Sequence, residues 1–167
     1  LYRHVIENDK ITRSCEGPSL APGREISNKT VGIIGLGAIG QRTAKLAQAF
    51  GCKVIAWNRT PKDVEGVTLV DKETLLKESD IITLHIALNE ETRNFITAKE
   101  IGMMKPSAII INAARGPIIN TNDIAEALRN GRISGAALDV FDKEPPLDKS
   151  NPLLNLPNTM LMPHIGF

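Results

Sequence analysis

From Thr30 to His164 the chain alternates two patterns. Short, nearly continuous apolar runs are separated by segments whose apolar positions recur three or four residues apart. The runs are "TVGIIGL" (30–36), "KVIAWN" (53–58), "IITLHIA" (81–87), "SAIIINAA" (107–114), "SGAALDVF" (134–141) and "TMLMPH" (159–164). They are rich in β-branched residues and lack the alternation of a half-exposed strand, which predicts parallel strands buried on both faces. Between the first two, Ile39, Ala44, Leu46, Ala47 and Phe50 recur at helical spacing. "DKETLLKESD" (71–80) predicts a short helix. Thr97 and Glu100 form a capping-box pattern opening a helix that Pro106 stops. Asn120 to Asn130 reads as a helix closed by Gly131 in a left-handed cap. Before the alternation, Leu1 to Arg13 has weak helical spacing, with Leu1, Val5 and Ile6 on one side, and Cys15 to Thr30 reads as loop.

Gly35-Leu36-Gly37-Ala38-Ile39-Gly40 is a GxGxxG turn. It follows a strand, opens a helix, and precedes a second strand that ends about 20 residues on, the context a dinucleotide fingerprint requires. Gly35 permits the tight turn, Gly37 lets backbone approach a pyrophosphate, and Gly40 lets helix pack on strand. The expected fold is therefore α/β, a doubly wound parallel sheet of the Rossmann type with six strands. Residues 1–25 are expected to be a linking helix and loop, and 26–167 the core. The second strand ends in Asn58-Arg59-Thr60, where Asp or Glu would hold both ribose hydroxyls of NAD. Arg59 and Thr60 offer a cation and a hydroxyl suited to a 2′-phosphate, so NADP(H) is favoured over NAD(H). The alternative is a solvated Arg59, with Asn58 holding the ribose of NAD.

Bulk properties narrow the class without naming the chemistry. The 167 residues suit one domain with a full core. A net charge of +1 argues for neither nucleic acid nor an anionic membrane. No apolar run approaches the roughly 18 residues of a membrane span. Cys15 and Cys52 lack metal or redox spacing, and no metal site is expected. An intracellular, cytoplasmic protein is the expectation. Leu1 and "MPHIGF" read as cut ends, so part of an active site is expected to lie elsewhere.

Three polar residues follow apolar strand ends, where open α/β sheets bind ligands: Arg115, Glu144 and His164. Hydride transfer to a carbonyl needs a proton donor, and His titrates near working pH. A neighbouring carboxylate would orient it and stabilise its protonated form. The planar fork of Arg is suited to clamping a carboxylate. Together they fit reduction of a 2-oxo acid.

From "KTVGIIGLGAIG" through "NAARG" and "GAALDVFDKEP" to "PHIG", the chain resembles the nucleotide-binding domain of the D-isomer-specific 2-hydroxyacid dehydrogenases. The resemblance implies that His164 is the proton donor and acceptor, Glu144 its partner, and Arg115 the ligand of the substrate carboxylate and keto oxygen. It also implies Asp139 at the nicotinamide carboxamide, Ala113 and Ala114 beside the nicotinamide ring, and Ala38 and Ile39 on the pyrophosphate. Asn58 stands where NAD-specific members carry Asp, and Ile86, Arg115, His164 and Gly166 complete the implied cofactor contacts. The pattern departs at Ala87, usually Pro, and at Asn120, commonly Asp; neither touches the Arg115, Glu144 and His164 trio. His85 is expected to pack or to wall the cofactor. The resemblance further implies a separate substrate domain and a homodimer, with the first helix packed across the partner. Two other readings compete: a dinucleotide-sensing corepressor-like interaction protein, and a hydrolase that retains NAD, which the Arg–Glu–His spacing disfavours.

Overall fold

A computed structural model describes residues 1, 3–15, 23–144 and 147–166. The loop reading for 16–22 and the prolines after Glu144 lie outside them.

The strands are β1 (Thr30–Ile34), β2 (Lys53–Trp57), β3 (Val67–Leu69), β4 (Ile81–Leu84), β5 (Ile109–Asn112), β6 (Gly135–Leu138) and β7 (Thr159–Leu161). The helices are α1 (Val5–Ser14), α2 (Ala38–Ala49), α3 (Lys72–Glu78), α4 (Ala98–Ile101) and α5 (Thr121–Arg129). All strands pair in parallel in the order β3-β2-β1-β4-β5-β6-β7. The order reverses between β1 and β4, which places a crevice at their carboxyl ends.

The expectation of a doubly wound parallel sheet holds, with one strand more than the six anticipated. The addition, β3, is an edge strand of three residues, two of them exposed. With so little buried surface it leaves no apolar run to read. The other strands end earlier than their apolar runs do, because the residues beyond them turn into the loops of the crevice.

Neighbouring residues of the central strands face opposite cores. Ile33 joins Val31, Leu36, Val54, Ala44 and Ala47 on the α2 side. Ile34 joins Ile55, Leu75, Ile82, Ile101 and Ile124 on the side of α3, α4 and α5.

The helical spacing of α2 is correct, but its buried face is not the one the large residues suggest. Gly40, Ala44 and Ala47 face the sheet, whereas Ile39, Leu46 and Phe50 are exposed. A methyl at Gly40 would overlap the Gly35 carbonyl oxygen, so the helix sits too close to β1 for large side chains on that face. The helix closes as a Schellman motif, with Gly51 at φ +76° and its amide on the Gln48 carbonyl. The expected left-handed Gly131 closes α5 the same way. In α1, which begins at Val5 rather than Leu1, Val5 and Ile6 are exposed, while Leu1 packs beside the α2-side core. The helix opened by Thr97 ends at Ile101, well before Pro106; Gly102 follows it as the C-cap.

Candidate active site

The glycine turn forms the head of the crevice. Gly35 adopts φ +104°, and a methyl there would lie 2.8 Å from the His85 carbonyl oxygen. Gly37, at the N-cap of α2, has nothing within 4 Å of the place a methyl would take, and no side chain caps the helix. Ala38 and Ile39 are exposed in the first turn. The uncapped amides and the open approach at Gly37 suit the pyrophosphate of a dinucleotide.

Beside this turn runs a cleft of about 320 Å³, lined by Gly35, Gly37, Asn58, Arg59, Thr60 and Ile86, among others. Trp57 and Phe95 form part of its wall, their rings 5.1 Å apart. Behind Phe95, the ammonium of Lys72 stands 4.1 Å from its ring centroid and bonds the Phe95 carbonyl and Glu100. Burial pushes the Glu100 carboxyl up, but the Thr97 hydroxyl, Lys72 and the Thr97 amide outweigh it and bring the pKa down to about 2. Thr97 and Glu100 were legible as a capping box, but the Lys72 and Trp57–Phe95 contacts give no sequence signal, because each needs a partner from a distant segment.

Asn58 is tied in two directions. Its Oδ1 accepts from the Leu36 amide at 2.9 Å, and its Nδ2 donates to the Thr60 carbonyl at 2.6 Å. It therefore braces the glycine turn against the end of β2. The Arg59 side chain is exposed and pairs with Glu91 at 3.2 Å. His85 and Ala87 line the same cleft. His85 Nε2 lies 3.1 Å from the Thr83 hydroxyl, and burial pushes its pKa down, toward the neutral ring. Asn120, one of the two departures, lies away from this cleft at the N-cap of α5, where Oδ1 accepts from the Asn122 and Asp123 amides. Its side chain serves the helix, as an Asp would.

At the other strand ends Glu144 and His164 meet, whereas the Arg115 guanidinium donates to the Ala114 carbonyl at 2.6 Å. After β5, Asn112, almost wholly buried, donates to the Arg115 carbonyl and accepts from the Ala114 amide. That frame holds Ala113, Ala114 and Arg115 in a tight turn, with Ala113 and Arg115 exposed. Asn112 was not anticipated; its place at a strand end before "AARG" was the available signal. Gly116 then packs on the Phe141 backbone so closely that a methyl would overlap it. The Phe141 amide donates to Glu144, and Glu144 Oε2 lies 2.5 Å from His164 Nδ1. Contacts thus run from the Arg115 turn to the imidazole.

Asp139 is engaged by the backbone of the tail. Its two carboxylate oxygens accept from the backbone amides of Ile165 and Gly166, at 3.0 and 2.7 Å. Here it anchors the tail that carries His164, whose backbone is left-handed at φ +56°. Such a conformation in a non-glycine residue persists only where neighbours enforce it. Beside the imidazole, Phe141, Leu161, Met162 and Pro163 line a second cavity of about 510 Å³. Among the described residues no group of three His, Cys, Asp or Glu could hold a metal ion, and no helix is long and apolar enough to cross a membrane.

The chain belongs to the family described as "D-isomer specific 2-hydroxyacid dehydrogenase, NAD binding domain", which matches residues 1–166. It is 44% identical to the glyoxylate reductase of Thermococcus litoralis over 176 residues, covering 98% of this chain and 53% of that protein. Among solved structures it resembles the "Probable 2-hydroxyacid dehydrogenase" of Rhizobium etli in complex with NADP. The TM-score is 0.88 at 32% identity, over 98% of this chain and 54% of that one. It also resembles the NAD-complexed D-isomer specific 2-hydroxyacid dehydrogenase of Lactobacillus delbrueckii ssp. bulgaricus. There the TM-score is 0.85 at 33% identity, over 98% and 54% of the two chains. The chain spans about half the length of the curated relatives it matches in full. None of these names supports the corepressor reading. A nicotinamide dinucleotide is the cofactor class of the family, and solved relatives hold both forms.

Proposed function

We propose that this chain is the cofactor-binding part of a D-2-hydroxyacid dehydrogenase that reduces a short 2-oxo acid, with glyoxylate or hydroxypyruvate as instances. The observation that carries this reading is the His164–Glu144 contact at the carboxyl ends of the strands, reached from the Arg115 turn. His164 would deliver the proton to the carbonyl oxygen as hydride arrives, and take it back in the oxidation direction. Glu144 holds the imidazole through Nδ1 and would orient Nε2 toward the substrate. Arg115 would clamp the substrate carboxylate. Bound nicotinamide supplies the hydride. Ala113 and Ala114 leave room for the ring, and Gly35, Gly37, Ala38, Ile39 and Gly40 form the pyrophosphate turn.

For the cofactor we favour NADP(H). Arg59 and Thr60 line the cleft, and the Asn58 side chain is engaged by backbone, so the end of β2 offers a cation and no carboxylate. The rest of the enzyme, on the length of the relatives, would supply the substrate domain. Exposed Val5 and Ile6 on α1, and Leu46 and Phe50 at the far end of α2, support a homodimer in which these faces are covered. We place the enzyme in the cytoplasm, where the dinucleotide pool would serve it.

The test is oxidation of NADPH and NADH by the full-length enzyme with short 2-oxo acids. Turnover with a 2-oxo acid, lost on His164→Gln, supports the reading; failure with every such acid overturns it. Arg59→Ala should weaken NADP(H) binding about tenfold, since charge-assisted hydrogen bonds are worth about 1.5–3 kcal/mol, and leave NAD(H) nearly unchanged.

A further inference from the structure

The cation at the end of β2 has a carboxylate partner in the same cleft. Arg59 Nη1 lies 3.2 Å from Glu91 Oε2, and both residues line the same cleft although 32 positions separate them. Glu91 is held on an ordered turn. The Thr92 amide donates to Asn89 Oδ1, the Asn89 amide donates to the Thr92 hydroxyl, and that hydroxyl donates to the Ala87 carbonyl. The backbone that carries Glu91 is therefore held at the edge of the cleft. Both side chains remain about three-quarters exposed, so the pair is easily opened.

We propose that Glu91 is a second determinant of cofactor choice, one that opposes the 2′-phosphate. The proposal rests on the reading of Arg59 as the phosphate's ligand. A 2′-phosphate reaching Arg59 must displace Glu91 or share the guanidinium with it. In either case two like charges lie well within a Debye length of about 8 Å. A 2′-hydroxyl brings no charge and meets no such repulsion. The carboxylate that β2 lacks at its end thus stands across the cleft, on the loop after β4, and it narrows the preference that Arg59 creates.

The chain carries a single tryptophan, Trp57, on the cleft wall, so its fluorescence reports binding directly. NADP⁺ and NAD⁺ should be titrated into the wild type, Glu91→Gln, Arg59→Ala and the double variant, with melting curves as controls. Glu91→Gln should tighten NADP⁺ by about two- to fivefold, the range of an exposed charge pair, and leave NAD⁺ unchanged. About 0.5 M salt should erase most of that gain. Unchanged or weaker NADP⁺ binding in Glu91→Gln overturns the proposal. If Arg59→Ala loses NADP⁺ affinity while Glu91→Gln is flat, only the role of Glu91 falls. If Arg59→Ala is flat, the reading of Arg59 falls instead, and Glu91 is still judged by its own variant: a gain supports direct repulsion, and no gain overturns it.

Discussion

The Nδ1 atom of His164 lies 2.5 Å from Oε2 of Glu144, a contact across 20 residues of sequence. Glu144 also accepts from the Phe141 amide, and Asp139 bonds the two amides that follow His164. Carboxylates from one strand-end loop thus grip the histidine at its side chain and just beyond its backbone.

In the full-length enzyme, His164→Gln is expected to lower turnover by about 10²–10⁴-fold, the usual worth of general acid catalysis. Dinucleotide affinity should stay near wild type, because the glycine turn is untouched. Groups that act as a unit are not additive, so His164→Gln combined with Glu144→Gln should be little worse than His164→Gln alone. Steady-state rates for His164→Gln, Glu144→Gln and the double variant decide this; multiplicative losses would mean that the two side chains act separately.

Gly37 and Gly40, three residues apart, can be told apart in function by one methyl each. Gly40→Ala places it on the Gly35 carbonyl and should cost about 1–3 kcal/mol of stability. Gly37→Ala meets nothing within 4 Å, so melting should shift little beyond the modest loss of an N-cap glycine. Its methyl instead enters the pyrophosphate's path, and dinucleotide affinity should fall about tenfold or more, equivalent to 1.4 kcal/mol. Melting curves and titrations on both variants test the contrast. Unimpaired binding by Gly37→Ala would move the pyrophosphate elsewhere.

Acid should expose the Lys72–Glu100 pair. The folded pKa of Glu100 is depressed to about 2 from an ordinary 4.5, so its stabilisation is complete above about pH 4.5. It is lost as pH falls through the folded value. The shift corresponds to about 3 kcal/mol. Glu100→Gln should therefore be destabilised at neutral pH and show a shallower loss of stability between pH 5 and 2 than the wild type. Denaturant unfolding across that range measures it, and parallel curves would exclude Glu100 as the source.

Asn58→Asp should turn cofactor preference toward NAD(H). A carboxylate repels the 2′-phosphate and accepts from ribose hydroxyls. It keeps the acceptor for the Leu36 amide but loses the donor to Thr60, so the 58–60 turn should loosen without opening the glycine turn. Comparing NADP⁺ and NAD⁺ affinities in the variant checks the direction; an unchanged ratio would contradict it.

What the sequence determined by itself follows from local rules. Continuous apolar runs marked six parallel strands, because a strand covered on both faces has no polar side to show. Gly35 marked a tight turn and Gly131 a left-handed helix cap, and both adopt positive φ, a demand that a single residue type reveals. Arg115, Glu144 and His164 were legible as candidates because each follows a strand end, where the fold puts ligands. Tertiary structure alone decided which groups meet. β3 buries too little to leave a pattern, and the inward face of α2 belongs to Gly40, Ala44 and Ala47 because the helix lies so close to β1. Asp139 turns to the tail amides, Lys72 crosses to Glu100, and Arg59 finds Glu91 on another loop. Each of these depends on the distance between segments remote in sequence, which no local periodicity encodes.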